Sequence, residues 1–333
     1  MAAPRCRVSL MDAPIVSVVV SAHNKQAYVG EAVRSALVQS LRAIEVVVVD
    51  DASTDATREV VQALASEDPR VRLVALSDNV GQPAALNIGL REARGEWVAI
   101  LDGDDWVAPT LYAELIALAE AHGANVVAGN MQWVFGSEAP PWHTLLPAGD
   151  APLLLSAVEF IRRSMTDDMM PLSFLQPLVR RRLVVDHAIR YDESDRFDLD
   201  FGILVRAILA GGRLVVTPKV GYYYRQVPGS MMSTRGPEVL RRMKGANDAL
   251  LGLCRHYGDR AAEAAIARRS RSVQHEIERA ELARALRRGE WGTALPQALR
   301  RPGHVAALAW RRLRGRLYWA RRRRAFAQMG DPG

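Results

Sequence analysis

Between Ile15 and Phe135 the chain repeats one pattern: a short run of β-branched and other apolar residues, then a longer stretch with apolar residues at helical spacing. "IVSVVVSAH" (15–23), "IEVVVVDD" (44–51), "VRLVAL" (71–76), "EWVAILD" (96–102) and "NVVAGNMQWVF" (125–135) read as strands. The first, second and fourth are apolar almost throughout, as strands buried on both faces are. Between them "YVGEAVRSALVQSL", "STDATREVVQALASE", "QPAALNIGLREA" and "TLYAELIALAEAHG" read as helices. Ser53, Thr54 and Asp55 are available to cap the second, and Gly123 closes the fourth. Strands joined through helices pair in parallel, because each crossover returns the chain in the same direction. The pattern therefore predicts an α/β fold, a doubly wound, mostly parallel sheet flanked by helices. In such a sheet ligands bind beyond the carboxyl ends of the strands. Polar residues gather at those ends here: Ser21 to Asn24, Asp50 with Asp51, and Asp102 to Asp105.

The last of these groups asks for a reason. "LDGDD" places three carboxylates in four positions at the end of an apolar run, with no basic residue adjoining them in sequence. It can be a solvated turn, a calcium loop or the mouth of a cation site. An EF-hand loop wants Gly at its sixth position and Glu at its twelfth, but counting from Asp102 those are Val107 and Ala113. A Walker A phosphate loop and a G-x-G-x-x-G dinucleotide fingerprint are also absent. A divalent cation arriving with a phosphorylated substrate fits the residue types, since Mg²⁺ and Mn²⁺ favour a few hard carboxylate oxygens plus phosphate and water. Asp102 and Asp104 would supply such oxygens, and Gly103 would let a diphosphate come close to the backbone. An Asp-x-Asp alone has little specificity, so the solvated turn stays open on these residues alone.

From about 136 the alternation breaks. "GSEAPPWHTLLPAGDAP" reads as loop, followed by a helix (156–165), an extended stretch, a helix (about 199–210) and a strand, "RLVVTPKVGYYYR". From 236 onward the pattern is helical and rich in Arg. Residues 1–235 hold 22 Lys and Arg against 28 Asp and Glu, a net −6, whereas 236–333 hold 22 against 9, a net +13. A basic end on an acidic body suggests an anionic surface as partner, membrane or nucleic acid. No nucleic-acid motif is recognisable, and Arg in place of Lys also follows from a GC-rich coding sequence, so no nucleic-acid partner is expected. "HVAALAWRRLRGRLYWARRRRAF" sets Val305, Ala309, Leu313, Leu317 and Ala320 along one helical stripe, with Trp319 and Tyr318 suited to a headgroup layer. Gly315 and Arg316 interrupt that stripe. Residues 300–328 thus read either as a peripheral contact with an anionic inner leaflet or as a helix packed on the protein's own acidic body. No apolar run is long enough to span a bilayer. Residues 1–14 read as a leader, too short and too weakly apolar for a signal peptide, with Met1 and Met11 both open as the start. Cys6 and Cys254 lie far apart without metal-like spacing, which suits a reducing cytoplasm.

"VVSAHN" (19–24), "VVVVDDASTD" (46–55), "DNVGQPAALNIGL" (78–90) and "WVAILDGDD" (97–105), in this order and at these spacings, closely resemble the nucleotide-binding half of family 2 glycosyltransferases, which have the GT-A fold. The resemblance continues through "YDESDRFDLDFGILVRAILAGGRLVVTPKVGYYYRQVPGSMMS" (191–233) and covers roughly 15–235. It implies a nucleotide-sugar-binding half over 15–135 and an acceptor-binding half over 136–235; residues 236–333, outside the resemblance, read from their own pattern as a helical, Arg-rich extension. The implied activity is inverting transfer from a UDP- or dTDP-sugar to a cell-envelope glycan, a lipid-linked or a small-molecule acceptor, with Mn²⁺ or Mg²⁺. Carried over residue by residue, backbone around Ala22 and His23, with Asn24, would face the base, although His23 stands where the family has Tyr. Asp51 would accept the ring N–H of a uracil or thymine, or else cap the helix that follows it. Gly81 and Asn87 would shape the nucleotide pocket. Asp104 would be the direct metal ligand, Asp102 would reach ribose or a metal-bound water, and Asp105 would support them. Arg225 would meet the diphosphate, with Ser230 a weaker candidate in a segment able to close over it. Asp200, six residues before Arg206, would be the base, but Leu199 replaces the family's Glu. That departure leaves Asp198 as an alternative base, and a catalytically degenerate nucleotide-sugar-binding scaffold as a second reading. A nucleotidyltransferase of related fold would need a Gly-rich basic loop after the first strand, and "SAHNKQAYVGE" is not one.

Overall fold

The computed structural model describes residues 13–135, 144–147, 149–165, 171–195, 198–226 and 236–307. The expected leader up to residue 12, Ser230 with the rest of 227–235, and residues 308–333 of the amphipathic stripe lie outside the described residues.

The alternation expected for the first part is present. Strands β1 (Val16–Ala22), β2 (Ile44–Asp50), β3 (Val71–Ala75) and β4 (Trp97–Asp102) are separated by helices α1 (Val29–Leu37), α2 (Thr57–Glu67) and α3 (Gln82–Glu92). They pair in parallel in the order β3-β2-β1-β4. Val18, Val19 and Val20 of β1 and Val46 to Val49 of β2 are fully buried, because helices cover both faces of this half. Each such valine contributes about 1.5 kcal/mol or more relative to exposure. Register then positions the site: Ala22 pairs with Asp50, and Ser21 with Asp102, so the polar ends of β1, β2 and β4 finish side by side.

The sheet continues in mixed sense. After β5 (Trp106–Val107) and α4 (Leu111–His122), which Gly123 ends in the left-handed conformation, comes β6 (Val126–Phe135). Next in sequence are β7 (Leu153–Leu155), α5 (Ala157–Arg162), β8 (Pro177–Arg180), α6 (Arg181–Asp186), α7 (Leu199–Gly211) and β9 (Leu214–Gln226). The order runs on as β4-β8-β6-β9-β5, with β7 paired to β9. β8 lies antiparallel between β4 and β6, while β6 and β9 are parallel. Helix α6 was not evident from periodicity: its six residues are too few to show a period.

Helices α8 (Pro237–His256), α9 (Arg260–Arg288) and α10 (Trp291–Arg300) complete the described chain. They are not appended to a finished domain. Leu250, Cys254, Ala262, Ala265 and Ile266 belong to the same buried cluster as the sheet, and α9 packs on α5 while α8 packs on α7. A boundary at 235 therefore separates sequence patterns, not cores. Among the described residues, no helix is long and apolar enough to cross a membrane.

Candidate active site

The carboxylates that end β4 have three different environments. Asp105 is 1% exposed. Its Oδ2 accepts from the Tyr222 hydroxyl at 2.8 Å and its Oδ1 from the Arg225 N–H at 2.8 Å, both on β9. Burial, then the charges of Asp102 and Asp104, pushes its carboxyl well above the usual range. Asp105 thus fastens the loop to β9. Asp102 accepts from Gln82 Nε2 at 2.9 Å, and its N–H donates to the Tyr222 hydroxyl at 3.2 Å. Burial and then Asp104 raise its carboxyl to about 7, against the opposing pull of Lys25 and Gln82. Asp104 is the more open carboxylate, and it forms an ion pair with Lys25.

That ion pair brings the cluster a counter-charge that does not adjoin it in sequence: Lys25 follows β1 and lies 79 residues from Asp104. Gly103 has a reason of its own. A Cβ there would come within 3.0 Å of the Ser21 carbonyl oxygen, so glycine lets the β4 end lie against the β1 end. Arg225 is held over the same loop. Its Nε donates to the Asp104 carbonyl at 2.9 Å, it pairs with Glu31 at 2.6 Å, and its guanidinium lies 4.4 Å from the Trp106 ring centre.

The neighbouring strand ends are tied together by backbone and side chain. The Asp51 N–H donates to the Ala22 carbonyl at 2.8 Å, and His23 Nδ1 donates to the Asp51 carbonyl at 2.8 Å. Asn24 has a φ of 52°, a conformation that Asn tolerates better than most residues. Its Oδ1 accepts from the Thr54 N–H at 2.9 Å. The Asp51 carboxylate accepts from the N–H groups of Val80 at 2.7 Å and Gly81 at 2.9 Å. It therefore braces the start of α3, not α2. At α2 the work is done by Asp55, whose Oδ1 accepts from the Thr57 N–H at 2.9 Å, and by Asp50, paired with Arg58 at 2.9 Å. Gly81 has a φ of 89°, so glycine is the residue that fits there. Asn87 is buried. Its amide donates to the Tyr191 carbonyl at 3.1 Å and to Glu193 at 3.0 Å, and its Oδ1 accepts from the Tyr191 N–H at 2.8 Å. It joins α3 to the 191–193 segment.

The first turn of α7 brings the two base candidates to this edge in different states. Asp198, at the N-cap, is paired at 2.7 Å with Arg269 of α9. Arg269 is 1% exposed. Its Nε donates to the Ser164 carbonyl at 2.9 Å, its Nη1 to Asn247 Oδ1 at 2.6 Å, and it lies 3.6 Å from the Phe201 ring centre. Among the described residues, no cation pairs with Asp200. Burial, then the charge of Asp102, raises its carboxyl well above the usual range; a hydrogen bond with Gln176 opposes this, and Asp198 and Asp195 add to it. Asp102 and Asp200, 98 positions apart, thus share one electrostatic neighbourhood.

Lys25, Gln82, Gln176, Tyr222 and Arg269 were not singled out from sequence. Lys25 and Gln82 each adjoin a motif that was, and position was their only signal. Gln176, Tyr222 and Arg269 lie in patterns that read as an extended stretch, a strand and a helix.

The profile of the family described as "Glycosyl transferase family 2" matches residues 17–179. The succinoglycan biosynthesis protein ExoO of Rhizobium meliloti (strain 1021) is 34% identical over 298 residues, 87% of this chain and 82% of that protein. ExoU, the succinoglycan biosynthesis protein of the same organism, is 28% identical over 297 residues, 88% and 85% of the two chains. Among solved structures, S. aureus TarS 1–349 in complex with UDP-GlcNAc matches with a TM-score of 0.58 and 24% identity, over 71% of this chain and 66% of that one. The mannosyltransferase PcManGT from Pyrobaculum calidifontis, in complex with GDP-Man and Mn²⁺, matches with a TM-score of 0.54 and 20% identity, over 91% and 88%. At these identities the structures show the fold.

Proposed function

The chain belongs to glycosyl transferase family 2 and is a glycosyltransferase of GT-A fold; from that premise we propose that it transfers a sugar, with inversion, from a UDP- or dTDP-sugar to a hydroxyl of a cell-envelope glycan or its lipid-linked precursor. The observation that carries this reading is the carboxyl of Asp200, which pairs with no cation among the described residues and feels the charge of Asp102, while Asp198 is occupied by Arg269. In the reaction the acceptor oxygen attacks the anomeric carbon, the bond from that carbon to the diphosphate breaks, and the hydroxyl proton passes to Asp200.

Two carboxylates on a short loop, balanced only in part by one lysine, suit a hard divalent cation. Asp104 and Asp102 would hold Mn²⁺ or Mg²⁺, which when bound supplies positive charge to the departing diphosphate. Lys25 and Arg225 add positive charge around the same loop. Asp51 keeps a second lone pair on each oxygen beyond those used by Val80 and Gly81, so it can still accept a pyrimidine ring N–H. Backbone at Ala22 and His23, with Asn24 and Gly81, would wall the base, and Asn87 would hold the donor side against the acceptor side. The UDP-GlcNAc complex of TarS supports the uridine donor, the Mn²⁺ complex of PcManGT the metal, and the names of ExoO and ExoU the envelope-glycan acceptor. The same reading has the enzyme work in the cytoplasm.

Replacing Asp200 by Asn, with Asp198→Asn alongside, tests the assignment. The Asp200→Asn enzyme should lose transfer by about 10²–10⁴-fold while still binding the donor. Full transfer by that variant would move the base elsewhere. Donor binding by the unaltered protein without any transfer to an envelope-glycan acceptor would favour the scaffold reading.

A further inference from the structure

Helix α10 leaves half of its apolar face uncovered. Its inner side is small: Ala294 is 1% exposed and packs with Leu282 and Ala285 of α9, with Ala298 beside them. Its outer side is large. Trp291, Leu295 and Leu299, spaced four residues apart, are 59%, 55% and 80% exposed. Residues at this spacing share one flank of a helix, so they form a ridge along α10. Leu286, near the end of α9, and Val305, beyond α10, are exposed as well. The ridge is held in place. Gly289 ends α9 in the left-handed conformation just before α10, and beyond α10 both Arg301 and His304 approach Glu278 of α9, at 3.5 and 3.8 Å.

Positive charge brackets this ridge. Exposed Arg287 and Arg288 precede it, exposed Arg300 and Arg301 follow it, and Glu290 is the one acid between them. Residues 308–333 carry a further eight Arg against one Asp. These charges decide among the surfaces able to cover the ridge. A second copy of the chain would set the same arginines against one another, and residues 308–333 would bring still more arginine to the same place. An anionic bilayer satisfies both features: tryptophan and leucine enter the boundary between headgroups and acyl chains, and arginines meet the phosphates.

We propose that the outer face of α10, with Trp291, Leu295 and Leu299 as the inserted ridge and the flanking arginines as its electrostatic partners, is a docking surface for an anionic lipid bilayer. The surface lies one element earlier in the chain than the amphipathic stripe of Val305, Ala309, Leu313, Leu317 and Ala320, of whose positions Val305 alone is among the described residues. The inference is independent of the reaction assigned above, since vesicle binding and sugar transfer are measured separately.

The test uses the full chain with vesicles of phosphatidylcholine alone and of phosphatidylcholine containing phosphatidylglycerol, assayed by co-sedimentation at low and high salt. The unaltered protein should partition to the anionic vesicles, less at high salt, and hardly at all to the neutral ones. A Trp291→Ser, Leu295→Ser, Leu299→Ser variant should lose at least about tenfold in partitioning, from the apolar area removed, with its thermal stability and donor binding unchanged. Removing residues 308–333 should weaken binding but leave a part that the triple substitution abolishes. The proposal is overturned if the triple variant partitions as the unaltered protein does, or if the unaltered protein ignores anionic vesicles. It is overturned equally if the triple substitution destabilises the monomer or splits a dimer, because the ridge then has a protein partner.

Discussion

Arg269 offers the sharpest check on how the site is built. It is a fully buried cation that joins three elements: it pairs with Asp198 at the N-cap of α7, donates to the Ser164 carbonyl after α5, and donates to Asn247 of α8. Arg269→Met keeps much of the volume over Phe201 but leaves Asp198 as an unmatched, largely buried charge. Removing one partner of a buried pair costs about 3–5 kcal/mol, most of it the penalty on the partner left behind. A chain of this length unfolds with an entropy near 0.7 kcal/mol per degree, so the midpoint should fall by about 4–7 °C. Because Asp200 lies two residues beyond Asp198 in the same helical turn, kcat should fall while the donor dissociation constant changes little. Adding Asp198→Asn to Arg269→Met removes the stranded charge and should restore about 1 kcal/mol or more, a non-additivity that a double-mutant cycle reads directly. Differential scanning calorimetry of the four proteins is the assay. Loss of less than about 1 kcal/mol in the single variant, or strict additivity in the cycle, would refute the claim that this pair holds the first turn of α7.

Three further outcomes follow from named contacts. The carboxyl of Asp200 is raised by burial and by Asp102, and a base acts only when ionised, so kcat/KM should rise with pH through a limb lying above the ordinary carboxylate range; a limb at or below about 4 would contradict this. Gly81→Ala puts a Cβ on backbone at φ 89°, and should destabilise by about 1–2 kcal/mol and raise the donor KM more than the acceptor KM; equal effects on both would show that the Asp51–Gly81 brace does not belong to the donor side. Asn87→Ala strands the buried N–H and carbonyl of Tyr191, and should cost about 2–4 kcal/mol, seen as a lower thermal midpoint; an unchanged midpoint would mean that the 191–193 segment is held by other contacts.

The parallel half of the fold was legible because its evidence is local. A short, mostly apolar run, a helix-period stretch and a polar strand end each declare themselves within one element, and the parallel pairing of β1, β2 and β4 follows from the helices between them. The carboxylates at the β4 end were legible for the same reason. What balances them was not. Lys25 meets Asp104 across 79 residues, and Asn87 meets Tyr191 across 104; periodicity within one element carries no information about such pairs. How the last hundred residues join the core was hidden on similar grounds. Their arginine content dominates the composition, while the few small and apolar positions that enter the core, such as Cys254, Ala262 and Ile266, are spread over two helices. Arg269 looks like one more surface arginine in sequence and is the most deeply buried cation among the described residues. The difference between Asp198 and Asp200 needed that contact to be visible.

The account stands on the claim that the Asp102–Asp104 loop receives a nucleotide diphosphate together with a divalent cation. Calorimetric titration of UDP, with dTDP and GDP alongside, into the unaltered protein and into Asp104→Asn, each with Mn²⁺ and with EDTA, tests that claim most directly. A pyrimidine diphosphate should bind in Mn²⁺, EDTA should abolish most of the binding, and Asp104→Asn should do the same with Mn²⁺ present. Nucleotide binding that is indifferent both to EDTA and to Asp104→Asn would contradict it, and the carboxylates at the end of β4 would then be a turn braced by Lys25 and Tyr222.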